Sequence, residues 1–419
     1  MQSAFLDQEV QNKISEIKKA DIIVGIPSFN NSKTIAHVVK AVQGGLTKYF
    51  SDYKGVIVNS DGGSRDGTMD VVRQTHIVDF ESILFHHKVG PVTKIAVPYH
   101  GIPGKGSAFR TIFEIAQALD AKACAVVDSD LRSITPEWIE LLIKPQLEEG
   151  FDFVAPLYHR HKYDGTITNS IIYPLTRALY GKRVRQPIGG DFGFSGSLAK
   201  YYLTKDVWKT DVARYGIDIW MTTTALACGF EVCQSFLGAK IHDPKDPGVD
   251  LSAMLYQVIG STFNFMNIYA KEWRKIHNSE PVPTFGFQYT VGLEPVPVNV
   301  DRMIEKFHLG VKELKHIWKL FLPDKIIQFL EKENIMPKKK FHIPDEIWVD
   351  IIYHFAVAFH KKMLNREHLL KSLTPLYIGR TASFVNQNWE SDADEVEEKI
   401  ETLCKVYEEK KNLLIKQWR

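Results

Sequence analysis

From Asp21 onward the sequence alternates short apolar runs with helical stretches, and this alternation constrains the fold more than any other feature. "DIIVGIP", "KGVIVNSD", "KIAVPYH" and "AKACAVVDSD" read as strands. Between them, "SKTIAHVVKAVQGGL", "GTMDVVRQTHIVDF" and "KGSAFRTIFEIAQALD" read as helices, the last strongly amphipathic. Strand and helix at this spacing predict an α/β domain, a doubly wound and mostly parallel sheet with helices on both faces. Such sheets bind ligands beyond the carboxyl ends of their strands. The runs end in polar or glycine-rich residues: Pro27-Ser28-Phe29-Asn30, Asn59-Ser60-Asp61 and Asp128-Ser129-Asp130. All three are expected to line one crevice.

At 419 residues the chain exceeds what a single core usually accommodates, so an extension or second domain is expected. Residues 1–20 read as a charged amphipathic helix without a signal core, and 21–277 as the α/β domain, divisible into halves 21–135 and 136–277. Proline-rich 278–300 reads as a linker, and 301–419 as wholly helical. Basic and acidic residues number 52 and 50, for a net charge of +2, so no global field favours nucleic acid or an anionic membrane. Cys124, Cys228, Cys233 and Cys404 are too scattered for a disulfide scaffold or a zinc cage and are expected as reduced, buried thiols. The uncharged stretch 251–270 carries Gln257, Ser252, Ser261, Thr262 and two asparagines, which argue for a buried helix over a membrane span. A soluble, cytoplasmic protein is expected.

Two carboxylates at D-x-D spacing point to the same side of a strand end, because side chains alternate along it. Their repulsion is costly unless a positive charge sits beside them. A divalent cation with hard oxygen ligands, Mg²⁺ or Mn²⁺, is one solution; solvation, with one aspartate capping the next helix, is another. "GIPGKGSAFR" (101–110) is not a Walker loop, because Gly106 follows Lys105 where Ser or Thr should stand. It still offers a glycine turn, a lysine and a helix N-terminus, a combination suited to a diphosphate. In "VNSDGGSRDGT" (58–68), Asp66 and Thr68 are expected to cap a helix, whereas Asp61 is placed to accept from a nucleobase or ribose.

The order of "IPSFN", "SDGGSRDGT", "GKG" and "DSD" resembles nucleotide-sugar glycosyltransferases of the GT-A fold. "RHKYDGTIT" (160–168), "QPIGGD" (186–191), "YGIDI" (215–219) and the histidine of "AKIHD" (239–243) narrow the resemblance to mannosylglycerate synthases and the related glucosyl-3-phosphoglycerate synthases. It covers about residues 20–275 and implies a Rossmann-like GT-A domain with a helical C-terminal extension. It also implies site residues. Pro27, Ser28, Asn30 and Asp61 would hold the nucleoside, and Gly104 and Lys105 the diphosphate. Asp128 and Ser129 would complete the donor edge, with Gly189 and Gly190 letting backbone approach the sugar. Asp128, Asp130 and His242 would ligate Mg²⁺ or Mn²⁺, and Asp218 would bond sugar hydroxyls near the anomeric carbon. Asp218, Lys105 and Asp130 form the implied catalytic set. Arg160 and Thr168 match positions that bind the acceptor carboxylate, although Arg160 in "HRHK" is also readable as one cation of a solvated basic cluster.

The implied reaction moves mannose or glucose, with retention, from a nucleotide-diphosphate sugar to D-glycerate, making a compatible-solute glycoside. "DPKDP" after His242 and "GTIT" after Gly165 depart from the two families' patterns. The latter lacks the arginine used beside an acceptor phosphate, which favours glycerate over 3-phosphoglycerate or a glycosylated glycerate. Lys162, Lys182, Arg183 and Arg185 remain available to a phosphate. No matched carboxylate is placed as a nucleophile, so a front-face mechanism is expected. A non-catalytic nucleotide-sugar sensor or scaffold is the alternative from another class. The C-terminal helices are expected to pack on the catalytic domain or to form a homodimer interface, and Trp138 and Trp220 to lie in the core.

Overall fold

The computed structural model describes residues 6–75, 92–98, 104–241, 252–289, 293 and 296–418. The end of the helix read over 67–80, Tyr99 and His100, residues 101–103 and His242 lie outside them. The chain forms two compact units that interleave in sequence. One comprises Met1–His159, Val184–Asp243 and Val282–Gly292; the other comprises Arg160–Arg183, Pro244–Pro281 and Leu293–Arg419.

The first unit is built on strands β1 (Ile22–Ser28), β2 (Gly55–Asp61), β3 (Val92–Pro98), β4 (Ala123–Val126) and β5 (Phe153–His159). The second unit holds β6 (Lys182–Arg183). In the first, β7 (Phe192–Ser195) and β8 (Val232–Ala239) follow. The proline-rich stretch then supplies β9 (Glu280–Pro281) to the second unit and β10 (Thr284–Phe285) to the first. The main sheet runs β10-β8-β5-β7-β4-β1-β2-β3. β7 is antiparallel to both of its neighbours, and the remaining pairs are parallel. The mostly parallel sheet read from the alternation is present. The stretch read only as a linker places β10 on the sheet margin, where a chain interrupted by prolines is tolerated.

Parallel strands covered on both faces become continuous apolar runs, which is why β1, β2 and β4 are buried at every position. Helices α1 (Gln8–Ile17), α2 (Ile35–Tyr49), α3 (Thr68–Gln74), α4 (Lys105–Ala118) and α5 (Pro136–Glu148) follow the order expected. α2 and α5 close one core through Val38, Val42, Leu46, Trp138, Ile139 and Leu142. At Gly25 a Cβ would meet Ile112 of α4 at 2.5 Å, so the absence of a side chain lets that helix seat on β1.

The second unit contains α6 (Tyr173–Tyr180), entered through a π-helical turn at Thr168–Ile172. The sheet unit adds α7 (Gly196–Leu203) and α8 (Ile217–Ala227). The helical unit then runs through α9 (Ser252–Ile268), α10 (Ala270–Trp273), α11 (Val300–Trp318), α12 (Asp324–Glu333), α13 (Asp345–His360), α14 (Arg366–Ser372), α15 (Thr374–Gln387) and α16 (Ala393–Gln417). α9 is the uncharged stretch expected as a buried helix, and Phe263 packs edge-on against Phe359 of α13. No helix among the described residues is long and apolar enough to cross a membrane. Within this unit the buried Arg177 bonds Glu401 and Glu408 of α16, so the charges neutralise one another.

All four cysteines are free, as expected. Three are buried; Cys228 differs, being exposed at the C-cap of α8, where the helix leaves the core. Trp138 and Trp220 are core residues.

Candidate active site

β7 decides which residues meet at the carboxyl edge of the sheet. Because it runs against β4, its first residue, Phe192, pairs with Val126, the last residue of β4. The loop before it therefore brings Gly189, Gly190 and Asp191 to Asp128. The Asp128 backbone N–H donates to Asp191 Oδ1 at 2.7 Å.

Five charged side chains alternate in sign across this edge. Lys240, one residue beyond β8, donates to Asp191 Oδ2 and Asp128 Oδ2, both at 2.7 Å, and to the Gly189 carbonyl at 2.8 Å. Lys105, the first residue of α4, lies 2.8 Å from Asp128 Oδ1 and 3.3 Å from Asp218 Oδ1. The Tyr158 hydroxyl donates to Asp191. Burial disfavours a charged Asp128, but Lys105 and Lys240 outweigh it and hold the carboxyl well below the usual range. Burial likewise opposes the charge of Lys105, yet Asp128 and Asp218 raise its pKa above that of an ordinary lysine. Asp218, with a single lysine beside it, is pushed upward by burial.

Gly190 is required here. Its φ is +92°, and a Cβ would stand 2.4 Å from Asp128 Oδ2 and 3.0 Å from Lys240 Nζ. Gly104 and Gly106 serve a different packing. A Cβ on Gly106 would meet the Val212 carbonyl at 1.7 Å, and one on Gly104 the Ala213 carbonyl at 2.5 Å, so these glycines admit the segment before α8.

The nucleoside side is more self-contained than the sequence indicates. Asp61 is almost fully buried and accepts from Ser28 Oγ (2.9 Å), Ser64 Oγ (2.6 Å) and the N–H groups of Gly63 (2.9 Å) and Ser64 (2.8 Å). Four donors saturate a carboxylate. Asn59 donates to Ser28 Oγ at 2.9 Å, while its Oδ1 and the Ser60 hydroxyl are buried with no hydrogen-bond partner among the described residues. Pro27 is buried in β1; Asn30 is exposed at φ +56° and accepts from the Arg65 N–H. Ser129 donates to Asn31. The N-cap of α3 is Gly67 and not Asp66 or Thr68; Asp66, one residue earlier, accepts from the N–H groups of Thr68 and Ser32 and so ties the two strand-end loops together.

Asp130 is half-buried, with no hydrogen-bond or ion-pair partner among the described residues. That uncommitted carboxylate beside Asp128 fits a hard divalent cation. Among the described residues no three His, Cys, Asp or Glu side chains gather into a metal cage, and His242 lies outside them.

Arg160 and Thr168 belong to the helical unit. Gly165, at φ +66°, stands between them: a Cβ there would lie 3.7 Å from Arg160 Nη1 and 4.0 Å from Thr168 Oγ1. Asp164 pairs with Arg160 at 3.4 Å.

The sequence reading did not single out Lys240, Asp191 or Tyr158. Asp191 closes the quoted "QPIGGD", and Lys240 stands two residues before the histidine of "AKIHD", so both lay within motifs already quoted.

Residues 23–208 match the family model of Glycosyl transferase family 2, a span somewhat under half of the chain that takes in most of the strands of the main sheet. A curated relative, an uncharacterized protein of Methanocaldococcus jannaschii, is 28% identical over 141 residues, 34% of this chain and 48% of the relative. The chain thus spans about half the length of that relative. Glucosyl-3-phosphoglycerate synthase from Mycobacterium tuberculosis, crystallised with Mg²⁺ and UDP, is similar at 22% identity and a TM-score of 0.43, over 60% of this chain and 82% of that one. The same enzyme with Mn²⁺, UDP-glucose and phosphoglyceric acid gives 23% identity and 0.43 over the same shares.

Proposed function

We propose that the chain transfers a hexose, glucose or mannose, from a nucleotide-diphosphate sugar to a small carboxylate acceptor, D-glycerate or a phosphorylated or glycosylated form of it. The observation that carries this reading is the chain of charges Asp191–Lys240–Asp128–Lys105–Asp218 at the carboxyl edge of a family 2 sheet. It presents buried lysines where a leaving diphosphate develops charge. Asp130, with Asp128 and His242, would hold Mg²⁺ or Mn²⁺, and the cation would supply further neutralisation of the leaving group.

The protein's own groups account for the rest. Lys240 fixes Asp128 and the Gly189 carbonyl in one arrangement, so the glycine loop stays open to the sugar. Lys105 exchanges a carboxylate partner for the diphosphate, which frees Asp218 to accept from sugar hydroxyls. Asp128 and Asp191 stay committed to Lys240, which leaves neither as a free nucleophile and supports front-face transfer with retention. Arg160 and Thr168, both close to Gly165, offer a guanidinium and a hydroxyl of the kind that suits a carboxylate.

The test incubates the protein with Mg²⁺, a panel of UDP-, GDP- and ADP-hexoses, and glycerate or 3-phosphoglycerate, and follows the anomeric proton by NMR. A new glycoside signal with the donor's anomeric configuration is expected. Nucleotide binding without product would point instead to a sensor.

A further inference from the structure

We propose that Arg214 is a second cation for the donor diphosphate, beside Lys105; this rests on the reading that the sheet edge holds a nucleotide-diphosphate sugar. Charge at that edge requires another positive group. Asp128, Asp191 and Asp218 against Lys105 and Lys240 sum to one net negative charge, and Asp130 adds a second. A divalent cation would bring the edge only to neutrality. A diphosphate arriving there still meets no surplus positive charge, and both lysines are already engaged.

The segment before α8 supplies one. Asp211–Ala213 form a single helical turn capped by Thr210, whose hydroxyl accepts from the Val212 N–H at 3.2 Å. The N–H groups of Arg214 and Gly216 both donate to the Asp211 carbonyl at 3.0 Å. Val212 and Ala213 are buried. This rigid turn crosses the first turn of α4 at the two glycines. A Cβ on Gly104 would lie 2.8 Å from Arg214 Cα and 3.0 Å from its Cγ, so the arginine stem rests against the residue preceding Lys105. The Arg214 side chain is exposed and makes no hydrogen bond or ion pair with the described residues. Four residues later in the same segment comes Asp218, the partner of Lys105. A planar guanidinium whose stem packs beside the residue preceding the lysine, and which is unspent, is suited to bidentate phosphate contact.

The test is calorimetric titration of the full chain with UDP, GDP and ADP in the presence of Mg²⁺, for the wild type, R214A and R214K. The proposal expects R214A to weaken the tightest-binding nucleoside diphosphate about tenfold and R214K to recover only part of that loss, because an ammonium keeps the charge but not the bidentate fork. It also expects the donor KM to rise far more than kcat falls, with the thermal midpoint unchanged. Equal affinity in wild type and R214A overturns the role of Arg214 while leaving the donor site standing. If none of the three nucleotides binds the wild type, the donor reading falls and this role with it.

Discussion

Asp218→Asn is expected to tighten nucleoside diphosphate binding while slowing transfer. Lys105 Nζ lies 3.3 Å from both Asp218 oxygens, with both side chains less than a fifth exposed. At 3.3 Å and an effective dielectric of about 20, the gross attraction is about 5 kcal/mol. Solvation and new contacts recover most of this when the pair separates, leaving a net of about 1–2 kcal/mol that an incoming diphosphate must displace. Removing the carboxylate charge abolishes that competition, so UDP should bind roughly 5–30-fold more tightly. UDP has no sugar for Asp218 to touch, so direct recognition contributes nothing to the comparison. The assay is calorimetry of UDP binding with Mg²⁺, completed as a double-mutant cycle with K105M, in which the gain should vanish. Unchanged or weaker UDP binding in D218N would refute the ion-pair exchange.

Other outcomes follow from the same geometry. G190A should cost about 1–3 kcal/mol in urea unfolding and abolish transfer, because its Cβ would meet Asp128 Oδ2 at 2.4 Å on a left-handed backbone. Glu137 bonds Lys48 at 3.1 Å and Tyr49 at 2.9 Å. Burial opposes its charge, but its own N–H, the Thr135 hydroxyl and these partners carry its pKa down from 4.5 to about 2. A pKa lowered in the folded state contributes stability above the unfolded value, and that stability is lost as pH falls from 4.5 toward about 2. With the side chain half exposed, the contribution is discounted to about 1 kcal/mol. E137Q should therefore lower stability by that amount at pH 7 and flatten the acid limb of an unfolding-versus-pH series.

The strand ends were legible because a buried parallel strand must stop at polar residues, and β1, β2 and β4 stop where "PSFN", "NSD" and "DSD" indicate. The charges that complete the site were not. Lys240 and Asp191 reach Asp128 only because β7 inserts antiparallel between β4 and β5, and a strand order is not written in local alternation. Asp61 shows the opposite effect. Its type and position suggested a ligand acceptor, whereas the loop that follows it turns back and spends the carboxylate on its own N–H groups. Gly104 and Gly106 suggested phosphate, and packing against Val212–Arg214 supplies a second reason for both. The interleaving of the two units also escapes a reading along the chain, since Arg160–Arg183 leaves the sheet domain and returns to it.

The proposed transfer requires a nucleoside diphosphate and a divalent cation to meet at Asp128 and Asp130. Manganese electron paramagnetic resonance, titrated with and without UDP, addresses this without turnover. One UDP-dependent Mn²⁺ per chain is predicted for the wild type, with loss of that ion and a weakened UDP affinity in D130N. Manganese bound equally well by D130N, or UDP bound with no effect on the manganese signal, would contradict it.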